Sequence, residues 1–174
     1  ANPRLDWKFV RNNLHGFQGT PWNMSGLSSN LGLDCSVVGD YPQGLGNSQP
    51  FGDSQALEGN LQPWDMTALS ANRSLDWNFV RCNLEGINGC PWDLVAMSSN
   101  PNLEWSLVEE YPDGFNGKKW CVAVLGRHPN INWDFVNENL QGISGQPWDL
   151  RFFAQNPSIT SDFINKHKTF NGKK

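Results

Sequence analysis

The stretch Asn72-Arg73-Ser74-Leu75-Asp76-Trp77-Asn78-Phe79-Val80 recurs, with substitutions, at residues 2–10, 100–108 and 128–136 of this chain of 174 residues. The starts at 72, 100, 128 and 156 are each 28 residues apart. Between these copies lies a second motif, which reads Pro91-Trp92-Asp93-Leu94 in the best example. Tandem repetition of short segments that cannot bury their own aromatic side chains indicates a stacked repeat architecture.

The spacing divides residues 1–174 into a single repeat array. One unit is degenerate, because Cys35 and Phe51 stand where the two Trp residues are expected, and a half-unit carries Pro63-Trp64. In the last, partial unit Ser161 replaces the first Trp. The predicted boundaries are 2–29, 30–59 (degenerate), 60–71 (half-unit), 72–99, 100–127, 128–155 and 156–174 (partial).

Two readings of each unit's local structure compete. Asp6 and Asp76 precede the first Trp as helix N-caps, and Pro91 at a first helical position with Asp93 in the first turn marks a second helix. This favours an all-α fold, an α-solenoid of short helix pairs with about 28 residues per repeat. The alternative is a β-repeat, because apolar residues alternate with polar ones in Leu5-Asp6-Trp7-Lys8-Phe9. The connectors share the pattern Leu-x-Gly-Φ-x-Gly (Φ, apolar), whose first Gly suits a left-handed residue after a helix.

Tryptophan at a fixed position in each unit is interpreted as core. Exposed, the same rings could stack on sugars or on single-stranded bases, which is the alternative. Asn residues at the repeat starts are expected to bridge turns through side-chain-to-backbone bonds. The predicted core positions are Trp7, Trp22, Trp64, Trp77, Trp92, Trp105, Trp120, Trp133 and Trp148.

These motifs resemble a Trp-rich short tandem repeat found in proteins of giant viruses, the large DNA viruses of amoebae and algae. The family pattern is close to N-P-x-I-T-W…P-W-D. Its matches here are Asn130-Ile131-Asn132-Trp133, Pro147-Trp148-Asp149 and Asn156-Pro157-Ser158-Ile159-Thr160. The resemblance implies a helical repeat protein located in the virion or in the cytoplasm of an infected cell. It implies no catalytic residue.

Composition excludes several classes of function. Thirteen Lys and Arg against 17 Asp and Glu give a net charge of -4, which argues against a nucleic-acid partner. No apolar run approaches the roughly 20 residues of a membrane helix, so no membrane partner is predicted. Four cysteines without a CxxC pair are expected to be reduced, with a Cys82–Cys90 disulfide as the alternative.

No constellation of catalytic or metal-binding residues is predicted, and no cofactor. His15, His128 and His167 do not recur with a fixed partner, and the repeated Asp residues occupy helix-start positions. The chain is therefore predicted not to be an enzyme. A basic tail, formed by Lys166, Lys168, Lys173 and Lys174, could dock on an acidic surface.

The resulting hypothesis is a non-enzymatic repeat protein that mediates protein–protein contacts, as a structural or assembly component of a virus particle. Its expected partners are other proteins, copies of this chain included. The alternative is a multivalent, lectin-like carbohydrate-binding repeat protein, because Trp, Asn, Asp and Gly recur at fixed spacing.

Overall fold

The computed structural model describes residues 4–46 and 61–167. Those residues form eleven helices of four to six residues and one small antiparallel sheet. The helices are α1 Trp7–Asn12, α2 Met24–Ser28, α3 Cys35–Asp40, α4 Met66–Ser70, α5 Trp77–Cys82, α6 Leu94–Ser98, α7 Trp105–Glu110, α8 Val122–Leu125, α9 Trp133–Glu138, α10 Leu150–Phe153 and α11 Ser161–Lys166. The strands are β1 Leu45–Gly46 and β2 Leu61–Gln62.

The prediction of an all-α fold, an α-solenoid, is wrong. The fold is mixed, with short helices, a two-stranded sheet and four further isolated antiparallel bridges among the described residues. A helix of six residues makes fewer than two turns, which is too short for the ridges-into-grooves packing that holds helical solenoids together. The β-repeat alternative also fails, because the main elements of each repeat are helical.

The residue that precedes the first helix of each repeat is the N-cap of that helix, and in most repeats its side chain accepts a hydrogen bond from the first turn. The carboxylate of Asp6 accepts from the backbone N–H of Lys8 (2.9 Å), and that of Asp76 accepts from Asn78 in the same way (2.9 Å). Asp34, Asn132 and Thr160 also cap, whereas Glu104 makes no cap bond. The predicted N-caps Asp6 and Asp76 are therefore confirmed. The first helices of the repeats are α1, α3, α5, α7, α9 and α11.

The second helix of each repeat begins later than predicted. Asp93 is the N-cap rather than a first-turn residue, and its carboxylate accepts from the N–H of Ala96 (3.0 Å). Pro91 and Trp92 precede the helix, because Trp92 is held by a bond to the end of the first helix, described below. The second helices are α2, α4, α6, α8 and α10.

A tight β-hairpin joins the two helices of each complete repeat. In one of them Ile87 and Cys90 exchange backbone bonds of 3.0 and 2.9 Å around Asn88 and Gly89, which both have positive φ. Two central residues with positive φ define a type I′ turn, for which Asn-Gly is the favoured dipeptide. The corresponding bridges are Phe17↔Thr20, Phe115↔Lys118 and Ile143↔Gln146.

Residues 30–71 form one repeat in the structure rather than a degenerate unit followed by a half-unit. Leu45 pairs with Gln62 as Phe17 pairs with Thr20, so the sheet β1–β2 is the same hairpin with a longer connection. The repeat is 42 residues long instead of 28. The extra residues, Phe51 among them, lie outside the described part of the chain, as do Asn2 and Lys168, Lys173 and Lys174.

The chain divides into two compact parts, Ala1–Trp92 and Asp93–Lys174. Each part has a core of Trp, Leu, Val and Ile side chains drawn from the helices and hairpins. None of the helices in residues 4–46 and 61–167 combines the length and apolar character that a membrane span requires.

Candidate interaction surface

The tryptophans of the second motif fasten the two halves of each repeat together. The indole Nε1 of Trp92 donates to the backbone carbonyl of Asn83, the residue after the first helix (2.7 Å). Trp64 donates to the carbonyl of Tyr41 in the same way (2.8 Å), which identifies it as the second-motif Trp of repeat 30–71. Trp22, Trp120 and Trp148 make the same bond, at 2.7, 2.8 and 2.7 Å.

The tryptophans that open the first helices line the core. Trp7, Trp77 and Trp105 are buried, and Trp133 is half-buried with its Nε1 donating to Ser158 Oγ (3.1 Å). The buried indole N–H groups of Trp7 and Trp105 have no hydrogen-bond partner. With Trp64, Trp92, Trp120 and Trp148 also buried and Trp22 half-buried, these rings offer no row of free faces on which sugars or bases could stack.

Buried polar side chains at the repeat starts join consecutive repeats. Asn72 Nδ2 donates to the carbonyls of Ser28 (2.7 Å) and Asn30 (2.9 Å), while its Oδ1 accepts from the N–H of Ser74 (2.8 Å). In the C-terminal part, Asn156 donates to Gly126 and His128 carbonyls (3.1 and 2.9 Å). The expected turn-bridging role of these Asn residues is confirmed for the described ones, and the bonds to the preceding repeat were not foreseen.

Histidine 128 takes the place of asparagine in this series. Its Nε2 lies 2.8 Å from the carbonyl of Asn100, and its Nδ1 accepts from the N–H of Asn130 (3.2 Å). Because a carbonyl only accepts, Nε2 is the donor in this contact. His128 is buried and reproduces two of the three bonds that Asn72 makes, one to a carbonyl of the preceding repeat and one to an N–H of its own, which accounts for it structurally.

The exposed apolar surface of the first repeat is unlike that of the others. Phe17, at the hairpin, is 46% exposed, whereas its counterparts Leu45, Ile87, Phe115 and Ile143 are between 1% and 8% exposed. Phe9 of α1 is 37% exposed, and the half-buried Trp22 completes the group. The ring of Phe9 lies 5.1 Å from that of Phe17 and 6.3 Å from that of Trp22. We call Phe9, Phe17 and Trp22 the leading face.

In later repeats the residue equivalent to Phe9 packs against the preceding repeat. Phe79 reaches Gly39 of α3, where an added Cβ would lie 3.3 Å from its ring. The rings of Phe135 and Trp105 are 6.2 Å apart, and those of Phe163 and Trp133 are 4.7 Å apart. The side chain at this position is therefore the one that a preceding repeat contacts, whereas Phe9 itself is 37% exposed.

The three histidines and the cysteines of the described part of the chain lie apart from one another in the candidate sites that the sequence offered. No cluster of three His, Cys, Asp or Glu side chains able to hold a metal lies within residues 4–46 and 61–167. His15 is exposed, and His167 Nε2 contacts Asn137 Oδ1 (2.7 Å). Cys82 and Cys90 are exposed free thiols, so the disulfide alternative is not formed. Of the predicted docking tail only Lys166 is described, exposed at the end of α11.

Neither a protein-family model, nor a curated protein, nor a solved structure matches this chain. The resemblance to the giant-virus repeats therefore stays a prediction.

Sequence reasoning did not single out the leading face. Phe9 and Phe17 occupy ordinary repeat positions, and the predicted core positions are tryptophans alone. Phe79, Phe135 and Phe163 contact the repeat that precedes each of them, and the motif within one repeat carries no information about that neighbour.

Proposed function

We propose that this chain is a non-enzymatic repeat protein that mediates protein–protein contacts as a structural or assembly component of a virus particle. The observation that carries the proposal is the leading face, where the exposed rings of Phe9 and Phe17 lie beside the half-buried Trp22. Exposed aromatic patches on folded proteins mark binding surfaces, and aromatic residues are enriched at the centres of protein interfaces.

The interior of the repeats supports a role in shape rather than in chemistry. The Asp residues that recur through the sequence are engaged as helix caps, and the repeat-start Asn and His side chains are engaged in bonds between repeats. Such groups hold the backbone in place and leave the surface to determine what is bound. The viral setting and the location in a virion or infected cytoplasm rest on the Trp133 and Trp148 motifs that resemble the giant-virus repeat.

The carbohydrate-binding alternative has less support. A lectin-like site of the predicted kind needs free indole faces, and seven of the nine tryptophans are buried. Glycan-array binding by the purified chain, abolished by Trp22→Ala, would favour this alternative over the assembly role.

Quantitative mass spectrometry of purified particles from the virus that encodes the chain tests the assembly role. We expect the chain in the particle fraction, at a copy number comparable to those of other structural components. Its association should resist high salt, because salt screens interactions between charges and has little effect on contacts between aromatic rings. Recovery of the chain only outside particles, with no cross-link to any particle protein, would contradict the proposal.

A further inference from the structure

We propose that His128 makes the junction between repeats 100–127 and 128–155 sensitive to acid, so that protonation of its imidazole weakens the contact between them. His128 is buried, with 3% of its surface exposed. Its Nε2 donates to the carbonyl of Asn100 in the preceding repeat (2.8 Å), and its Nδ1 accepts from the N–H of Asn130 in its own repeat (3.2 Å). A titratable side chain therefore lies inside a junction between two repeats.

The two contacts require opposite roles from the two ring nitrogens. The carbonyl oxygen of Asn100 can only accept, so Nε2 donates, and the N–H of Asn130 can only donate, so Nδ1 accepts. An imidazole with one proton fills both roles, whereas an imidazolium donates from both nitrogens. A second proton, on Nδ1, therefore faces the N–H of Asn130, and that hydrogen bond is lost.

Two costs oppose an imidazolium at this position. One is the meeting of two N–H groups at Asn130, and the other is the burial of a charge whose remaining partner is a neutral carbonyl. A charged ring donates more strongly to the Asn100 carbonyl, which offsets part of these costs. Because both nitrogens of the ring are engaged, turning it away from Asn130 also breaks its bond to the preceding repeat.

The equivalent side chains of other repeats do not titrate. Asn72 and Asn156 each donate to the carbonyl of the residue at the same position one repeat earlier (2.9 Å in both cases), and their Oδ1 atoms accept from an N–H of their own turn. A side-chain amide keeps its donor and its acceptor when the solution is acidified. Among the described repeat starts, which are residues 30, 72, 100, 128 and 156, acid sensitivity is thus confined to His128.

Charged groups near the ring leave its two contacts unchanged. The segments that contact His128 are its own turn, the turns that begin at Asn100 and Asn156, helix α8 and, through the Trp105 ring at 6.3 Å, helix α7. The charged residues of these segments are Arg127, Glu104, Glu109 and Glu110. The Arg127 guanidinium lies 5.0 Å from the centre of the Phe152 ring, and Glu109 accepts from the amide of Asn132 (2.7 Å). Both ring nitrogens of His128 contact backbone groups and no carboxylate.

Acid therefore lowers the stability of the folded chain through this residue. The unfolded chain takes the second proton at no cost in hydrogen bonds, whereas the folded chain loses the Nδ1 contact. Since the unfolded state binds more protons, the free energy of unfolding falls as the pH is lowered. The fall begins near about pH 6.5, where imidazole side chains ordinarily titrate, and continues below it.

The test compares the full wild-type chain with His128→Asn and with His15→Asn. Asn at position 128 keeps one donor and one acceptor and has no proton to gain, while His15 is exposed and controls for removal of a histidine. Urea unfolding is followed by circular dichroism from about pH 8 to about pH 5, the range in which histidine changes charge. Relative to His128→Asn, the unfolding equilibrium constant of wild type is expected to rise about tenfold, the change that one proton produces per pH unit. His15→Asn should behave like wild type.

Hydrogen exchange of the Asn130 N–H gives a second, local readout in the wild-type chain. The N–H of Ser158 bonds Asn156 Oδ1 in the equivalent turn (2.8 Å) and serves as the internal control. After correction for intrinsic exchange rates, protection of the Asn130 N–H relative to that of Ser158 is expected to fall about tenfold for each pH unit in acid.

Two results overturn the inference. One is a parallel loss of stability in wild type and His128→Asn, and the other is a constant ratio of protection between Asn130 and Ser158. The exchange measurement needs no variant, so it decides the question even if His128→Asn does not fold. The inference is independent of the proposed assembly role, which the particle measurement decides separately.

Discussion

The side-chain amide of Asn72 donates to the backbone carbonyl of Asn30, the residue at the same position one repeat earlier (2.9 Å). The same amide reaches the carbonyl of Ser28 at 2.7 Å. A single buried side chain thus satisfies two carbonyls of the preceding repeat and, through Oδ1, one N–H of its own. Contacts between repeats in this protein are consequently polar as well as aromatic, and they can be broken one side chain at a time.

Asn72→Ala is expected to lower the free energy of unfolding by about 3 kcal/mol, since two buried carbonyls and one N–H lose their partners. Urea titration followed by circular dichroism measures the change. Asn78→Ala is the control, because Asn78 is exposed on α5 and its loss should cost less than about 0.5 kcal/mol. Equal effects of the two substitutions would show that Asn72 does not hold the repeats together.

Replacement of His128 by Asn should preserve stability, and replacement by Ala should not. Asn can donate to the Asn100 carbonyl and accept from the N–H of Asn130, as the imidazole does. Alanine can do neither and is expected to cost about 2 to 3 kcal/mol. Thermal unfolding of the two variants at neutral pH makes the comparison, and an Asn variant as unstable as the Ala variant contradicts the equivalence.

Two tryptophans of one repeat allow a measurement of how much the indole hydrogen bond contributes to the free energy of unfolding. Trp120 donates to the Tyr111 carbonyl (2.8 Å), whereas the Nε1 of Trp105 has no partner. Both substitutions to Phe lose volume, but only Trp120→Phe leaves a carbonyl without its donor. Trp120→Phe is therefore expected to destabilise the protein by about 1 to 3 kcal/mol more than Trp105→Phe, as measured by chemical unfolding.

Substitution of two glycines in one hairpin distinguishes the cost of backbone strain from the cost of a steric clash with the added Cβ. Both Gly86 and Gly89 have positive φ. A Cβ on Gly89 would meet no atom within 4 Å, whereas one on Gly86 would lie 2.1 Å from the carbonyl oxygen of Cys90. Gly89→Ala should cost about 1 to 2 kcal/mol from strain alone, and Gly86→Ala clearly more. Similar unfolding midpoints for the two variants would count against the hairpin geometry.

Native alkylation with iodoacetamide should discriminate among the cysteines. Burial raises the pKa of the Cys35 thiol and hides it from reagent, so the reactive thiolate is scarce there. Cys82 and Cys90 are exposed and are expected to react first. Peptide mass spectrometry at short reaction times measures the order, and labelling of Cys35 as fast as Cys82 in folded protein contradicts it.

Much of the local structure follows from the sequence. Asp6 and Asp76 cap helices because short polar side chains satisfy free N–H groups at a helix start, a rule that needs only the neighbouring residues. The Asn88-Gly89 dipeptide is equally local and is a hairpin signal. The prediction drawn from the first glycine of the connector does not use that signal and therefore lacks the hairpin.

Other features depend on contacts that a single repeat does not contain. Pro91 was placed at the start of a helix because its backbone suits that position, but the Trp92 bond to the Asn83 carbonyl keeps this segment outside the helix. The solenoid prediction requires helices long enough to pack along one another, and the helix signals in each repeat produce helices of only four to six residues. The exposure of Phe9 depends on which residues of other repeats contact it, and the motif within one repeat does not encode those contacts.

Sedimentation velocity of the unmodified chain over a concentration series from about 1 μM to the millimolar range tests the central claim most directly. An exposed aromatic surface that binds copies of the chain predicts a weight-average sedimentation coefficient that rises with concentration and is little changed by 0.5 M salt, about five times the ionic strength at which surface charges are already screened. A coefficient that stays at the monomer value throughout would contradict the claim that the leading face binds copies of the chain.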